Sequence, residues 1–196
     1  EHPAVLAPCD QLARRWGITV HRIPVDSQGR LDLDRYMAAL SPDIAVVSIM
    51  WANNETGVLF PVEELARRAK RVGALFHTDA VQAVGKIPID VKTTDIDMLS
   101  LSAHKLHAPK GIGALYVRKG VRFEPMLMGG HQERGRRAGT ENAPGIIALG
   151  KAAELAASRS PDEHGRVRAL RDRLESGVLR RIDNCFVVGD RERRLP

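Results

Sequence analysis

Residues 44–50 (Ile-Ala-Val-Val-Ser-Ile-Met) form an apolar run broken only by Ser48. A short continuous run of this kind suits a strand covered on both faces, because a strand with one wet face alternates apolar and polar positions. Such strands belong to parallel sheets, whose connections cross over, usually through a helix. The chain supplies those connections. Residues 62–72 carry apolar positions at helical spacing, and short apolar segments follow at 74–77, 98–101 and 112–117. The expected class is therefore α/β, a sheet with helices on both faces.

Helices are also expected at residues 3–16, where Pro3 fits a first helical position, and at 33–40, 145–157 and about 163–181. Two further strands are expected at 18–23 and 182–188, with turn chemistry in Asp26-Ser27-Gln28-Gly29. The sequence Ser158-Arg159-Ser160-Pro161-Asp162 reads as a break between the last two helices. It divides the chain into a large domain over 1–160, and a linker helix with the start of a small α/β domain over 161–196. The chain opens on Glu1-His2-Pro3 and stops at Leu195-Pro196, so it reads as part of something longer.

The formal net charge of +6 does not by itself point to nucleic acid. Nucleic-acid binders cluster Lys and Arg on one face and interleave aromatics. Here aromatics are 4% of the chain, and pairs such as Arg67-Arg68 and Arg180-Arg181 are scattered. Most lie beside acidic residues at helical spacing, as on solvated helix faces. No apolar run approaches ~18 residues, so no membrane span is expected. Cys9 and Cys185 make no disulfide framework, and no Cys/His cluster suggests a metal. Both cysteines sit in apolar surroundings and are expected to be inert core residues. The default compartment is the cytoplasm.

Ligand groups in a parallel sheet gather on loops at the carboxyl ends of strands. Four polar segments fall in such places: residues 51–57, 77–82 and 102–105, and the loop 129–142 with its four glycines. Lys105 lies among small and polar neighbours beside a strand end, where desolvation makes an amine nucleophilic; its plainer alternative is a solvated lysine. Asp79 at a strand end needs a cation, and an Asp paired with a pyridinium nitrogen beside a Lys Schiff base is the pattern of pyridoxal phosphate sites. Its plainer alternative is a cap on the following turn. Thr78, Ser102 and His104 are short donors suited to a phosphate, and Gln82 suits the ring's phenolate oxygen.

These segments together resemble the cysteine desulfurases. The stretches that carry the resemblance are Ala52-Asn53-Asn54-Glu55-Thr56-Gly57, His77-Thr78-Asp79-Ala80-Val81-Gln82, Ser102-Ala103-His104-Lys105 through Gly111, and Gly130-His131 through Asn142. They are most similar to the NifS type associated with nitrogen fixation. The resemblance implies a homodimeric pyridoxal 5'-phosphate enzyme of fold type I, related to class-V aminotransferases, with a three-layer large domain bearing a mainly parallel sheet. It implies a covalent link to the cofactor at Lys105, Asp79 on the pyridinium nitrogen, and Gln82 with Asn54 near the phenolate oxygen. Ser102 and His104 hold the phosphate, joined by Thr140 from the partner subunit, and His2 stacks on the ring and transfers protons. The implied reaction takes sulfur from L-cysteine, leaving L-alanine and an enzyme persulfide for an iron–sulfur scaffold protein.

The same resemblance places the family's persulfide cysteine and its carboxylate-binding arginine beyond residue 196, and a phosphate-binding turn before Glu1. The alternatives are a selenocysteine lyase, another fold type I enzyme, or a catalytically incomplete fragment.

Overall fold

The computed structural model describes residues 1–158 and 163–196. Helix α1 (Pro3–Trp16) starts where His2 Nδ1 accepts from the Ala4 amide at 3.1 Å, and it ends at Gly17, whose φ of 65° closes the last turn. Helix α2 (Leu33–Ala39) is capped by Asp32, which accepts from the Arg35 amide at 2.9 Å. Strand β1 (Val46–Ser48), helix α3 (Val62–Arg71) and strand β2 (Leu75–Asp79) follow. Next come β3 (Met98–Ser102), a 3-10 turn (Ala103–Leu106) and β4 (Gly113–Val117). A single turn, α4 (Gln132–Gly135), precedes the long helix α5 (Ala143–Arg181). The break expected around residue 160, and the domain boundary placed on it, fall outside the described residues.

The sheet order is β1-β2-β3-β4. β1, β2 and β3 are parallel, with Val47 opposite Phe76 and Thr78 opposite Leu99; β4 runs antiparallel to β3. The α/β class and the mainly parallel sheet are as the sequence implies. α3 shows why: Val62, Leu65, Ala66 and Ala69 recur at helical spacing and are buried, while Glu63 and Glu64 open the helix and Arg68, Lys70 and Arg71 close it. That charge order suits the helix dipole. The apolar stripe packs on β2, around fully buried Phe76, Leu65 and Ile96. The phenol of buried Tyr36 donates to the Leu65 carbonyl at 2.8 Å, and burial pushes its hydroxyl up to about 12.

Two expected strands do not form. Residues 18–23 are irregular, and beside them only the isolated Val25–Leu31 bridge closes around the Asp26–Gly29 turn. Alternation marks one half-buried face, but a strand also needs a neighbouring backbone to pair with. Residues 182–188 are likewise irregular, with Phe186 81% exposed. Cys185 is therefore exposed and Cys9 only partly buried, which corrects the expectation that both are core residues. An apolar run buries itself only when another layer covers it.

The end of the chain makes a contact that local pattern does not reveal. The Leu59 amide donates to the Arg193 carbonyl at 2.8 Å, and the Leu195 amide to the Gly57 carbonyl at 2.9 Å. Arg194 pairs with Glu175 of α5 at 2.7 Å, both side chains largely buried. Residues 193–195 thus brace the back of the loop that follows β1.

Candidate active site

The carboxyl ends of β1, β2 and β3 share one edge of the sheet. Backbone bonds continue past the strands there: Trp51 N to Asp79 O at 2.9 Å, Ala80 N to Ser100 O at 3.0 Å, and Ala103 N to Ile112 O at 3.1 Å. These bonds fix where each loop leaves the sheet.

Asp79 ends β2 and is 8% exposed. Its Oδ1 accepts from the Val81 amide at 2.9 Å, so the capping alternative is real and occupies one carboxylate oxygen. Alternation along β2 puts His77 on the same face as Asp79. His77 bridges three strands, with Ser48 Oγ 2.8 Å from Nδ1 and Ser100 Oγ 2.9 Å from Nε2. Burial holds its imidazole below the ordinary histidine value, and the Asp79 charge opposes that drop.

Thr78 points to the opposite face, with Phe76, by the same alternation. It is fully buried, and its hydroxyl has no hydrogen-bond partner among the described residues. The strand therefore separates Thr78 from Asp79 rather than joining them.

Ser102 ends β3, and its Oγ lies 2.7 Å from Nδ1 of His104 in the following 3-10 turn. Lys105 is next in that turn and is exposed, as the plainer alternative of a solvated lysine has it, and not desolvated in this structure. The tight turn leaves Ala103 and Leu106 facing inward and His104 and Lys105 outward. The lysine that burial pushes downward is Lys86, with the charge of nearby Lys105 adding to the effect. Lys86 Nζ donates to Gln82 Oε1 at 3.0 Å.

Glu1 reaches this edge, its Oε1 accepting from the Met50 amide just beyond β1 at 2.6 Å, while the neighbouring His2 imidazole is exposed and caps α1. Desolvation pushes the Glu1 carboxyl up despite that bond, and the Asp79 charge adds to the rise, so the two carboxyl groups sense each other. Asn54 is exposed on the loop after β1. Its shape depends on a residue the sequence reading passed over: Asn53 Oδ1 accepts from Glu55 N, Thr56 N and Thr56 Oγ1 at 3.0, 2.9 and 3.1 Å. An Asn three residues before a Thr-Gly pair is the signal that could have found it. Thr140 is exposed on the loop ahead of α5, with no hydrogen bond to the sheet edge among the described residues. The structure therefore gathers Asp79, Gln82, Ser102, His104, Lys105 and the start of α1 around one edge, and leaves Thr78 and Thr140 apart from it.

The donor set suits a ligand that carries both positive and negative charge better than a neutral one. A buried carboxylate with one oxygen committed to a backbone amide faces an edge that also carries a hydroxyl–imidazole pair and two lysines. The aminotransferase class-V family matches over residues 1–196. The chain belongs to that family. Among other members, the cysteine desulfurase of Gluconacetobacter diazotrophicus is 68% identical over 196 residues, all of this chain and 49% of its own length. The cysteine desulfurase NifS of Azotobacter vinelandii is 63% identical, over all of this chain and 48% of its own. The X-ray structure of a NifS-like protein from Rickettsia africae ESF-5 superposes with a TM-score of 0.90 at 32% identity, covering 100% of this chain and 54% of that one. The chain spans about half the length of the curated relatives it matches. The class-V family is thus the one the resemblance implied.

Proposed function

We propose that this chain is the cofactor-binding part, residues 1–160 with the linker that follows, of a cytoplasmic, homodimeric cysteine desulfurase of the NifS type. Its cofactor is pyridoxal 5'-phosphate, and its product feeds an iron–sulfur scaffold protein in nitrogen fixation. One observation carries the reading: the buried Asp79 carboxylate stands at the same sheet edge as Lys105 and the Ser102–His104 pair. The similarity to curated cysteine desulfurases supports the same assignment.

Pyridoxal phosphate, when bound, supplies an electron sink for the carbon bearing the amino group. The residues of the chain do the rest. Asp79 keeps a positive charge on the ring nitrogen by placing its own negative charge in a largely dry site, where a charge-assisted bond is about twice as strong as a neutral one. Ser102 Oγ and His104 donate to the phosphate, with Thr140 joining them from the partner subunit. Lys105 Nζ holds the cofactor and carries a proton from and to the substrate carbon. Such positioned transfers are each worth roughly 10²–10⁴-fold in rate. His2 stacks on the ring and shares in proton transfer, while Asn54 and Gln82 stand beside the phenolate oxygen.

In the net reaction a thiolate of the enzyme attacks the cysteine sulfur. An S–S bond forms, the C–S bond breaks, and the carbon takes a proton to leave L-alanine and a persulfide. Neither Cys9 nor Cys185 is assigned that thiol. Incubating the intact protein with pyridoxal phosphate, L-cysteine and a thiol reductant tests the reading. Alanine and sulfide in equal amounts are expected. Alanine and selenide from L-selenocysteine with none from L-cysteine would replace the assignment with a selenocysteine lyase, and transamination without sulfide would replace it with an aminotransferase.

A further inference from the structure

The bond from Lys86 Nζ to Gln82 Oε1 decides which end of an amide faces the site. An amide offers an accepting oxygen and a donating nitrogen, and an ammonium can only donate. With Oε1 committed to Lys86, the Gln82 nitrogen and its two hydrogens are the end left for another partner. A freely rotating amide would present its oxygen as readily, and an oxygen set against an anionic oxygen repels it.

The turn that carries both residues is packed closely at Gly85. Gly85 has φ 76°, and a Cβ there would lie 2.5 Å from Leu106 Cδ2 and 3.3 Å from Ala156 Cβ. The turn is therefore pressed against both the 3-10 turn that bears Lys105 and helix α5. Lys86 and Gln82 are both half-buried, so their bond is partly shielded from competing water. The charge of Lys105 acts on Lys86, which puts the pair beside the amine that holds the cofactor.

We propose that Lys86 is a positioning residue that locks the Gln82 amide with its nitrogen toward the phenolate oxygen of the cofactor. This rests on the reading of Gln82 as the partner of that oxygen. The link acts through Gln82 and needs no contact between Lys86 and the cofactor.

Two measurements on the intact protein test it. Without cofactor, the side-chain amide of Gln82 is followed by nitrogen-15 relaxation; Lys86→Met is expected to make it mobile, and Lys86→Arg to keep it ordered. With pyridoxal phosphate bound, the pH midpoint of the visible band is measured in Lys86→Met, Gln82→Ala and the double variant. Loss of a donor to the phenolate oxygen raises that midpoint, by about one unit for one charge-assisted hydrogen bond. Lys86→Met is expected to shift upward, and the double variant to shift no further than Gln82→Ala alone. Additive shifts would mean that Lys86 acts by its charge alone, and would overturn the proposal. An ordered Gln82 amide and an unmoved midpoint in Lys86→Met would also overturn it, while a shifted Gln82→Ala leaves the reading of Gln82 standing. If Gln82→Ala leaves the midpoint unmoved, the reading of Gln82 fails, and the role given to Lys86 fails with it.

Discussion

Ser48 Oγ lies 2.8 Å from Nδ1 of His77, across the pair of strands β1 and β2. With Ser100 Oγ 2.9 Å from Nε2, the imidazole ties three adjacent strands together one residue pair below Asp79. A neutral imidazole has one donor and one acceptor, so the two serines take opposite roles toward it. Burial holds His77 below its ordinary value of 6.5. The unfolded chain then binds more protons than the folded one as pH falls below that value, so stability declines on acidification and is full above it. Urea unfolding at pH 5 and pH 7.5 is expected to show this slope, and His77→Gln is expected to flatten it. An unchanged slope in the variant would assign the acid sensitivity to other groups.

Asp79 and Gln82 are expected to differ in cost. Asp79→Asn keeps an oxygen for the Val81 amide but removes the charge, so its turn survives while the pairing with a ring nitrogen is lost. Activity at saturating cofactor is expected to fall by on the order of 10²-fold or more, against a smaller loss for Gln82→Ala. Equal losses would count against the role given to Asp79.

Tyr36 provides an alkaline counterpart to His77. Its hydroxyl is raised from 10.0 to about 12, so the unfolded chain releases the proton first and stability falls as pH rises from 10 to 12. The full effect is about 3 kcal/mol. Tyr36→Phe is expected to cost about 1 kcal/mol at pH 7 through the bond to the Leu65 carbonyl, and to lose that alkaline window. Thermal or urea midpoints on the two proteins between pH 8 and 11 check both statements.

Much of the architecture is legible in the sequence because it depends on local pattern. The bounds of α1 follow from Pro3 and Gly17, and those of α3 from the spacing of Val62, Leu65, Ala66 and Ala69. The strands β1 and β4 fall within the apolar segments that mark them, while β2 and β3 run past the ends of theirs to Asp79 and Ser102. What escaped depends on long-range partners. Residues 18–23 and 182–188 have strand composition but no neighbouring strand, and Cys185 is exposed as a result. The pairing of residues 193–195 with 57–59 joins segments far apart in sequence. At the site, residue types and order were readable, whereas strand alternation turned Thr78 away and a tight 3-10 turn left Lys105 exposed.

Gly85→Ala is expected to strain the site from behind. The new methyl would meet Leu106 at 2.5 Å and the backbone would hold an alanine at φ 76°. A loss of about 1–3 kcal/mol in stability is expected, with weaker retention of pyridoxal phosphate because Leu106 seats the turn that carries Lys105. Wild-type stability in the variant would show that the turn relaxes freely.

The central claim is that Lys105, three residues beyond the end of β3 at Ser102, is the lysine that holds the cofactor. Borohydride reduction of the intact protein loaded with pyridoxal phosphate, followed by digestion and peptide mass mapping, tests it most directly. The account predicts the pyridoxyl label on Lys105 and its disappearance in Lys105→Ala. A label on Lys86 or Lys110 in the wild-type protein, or a label that survives Lys105→Ala, would contradict it.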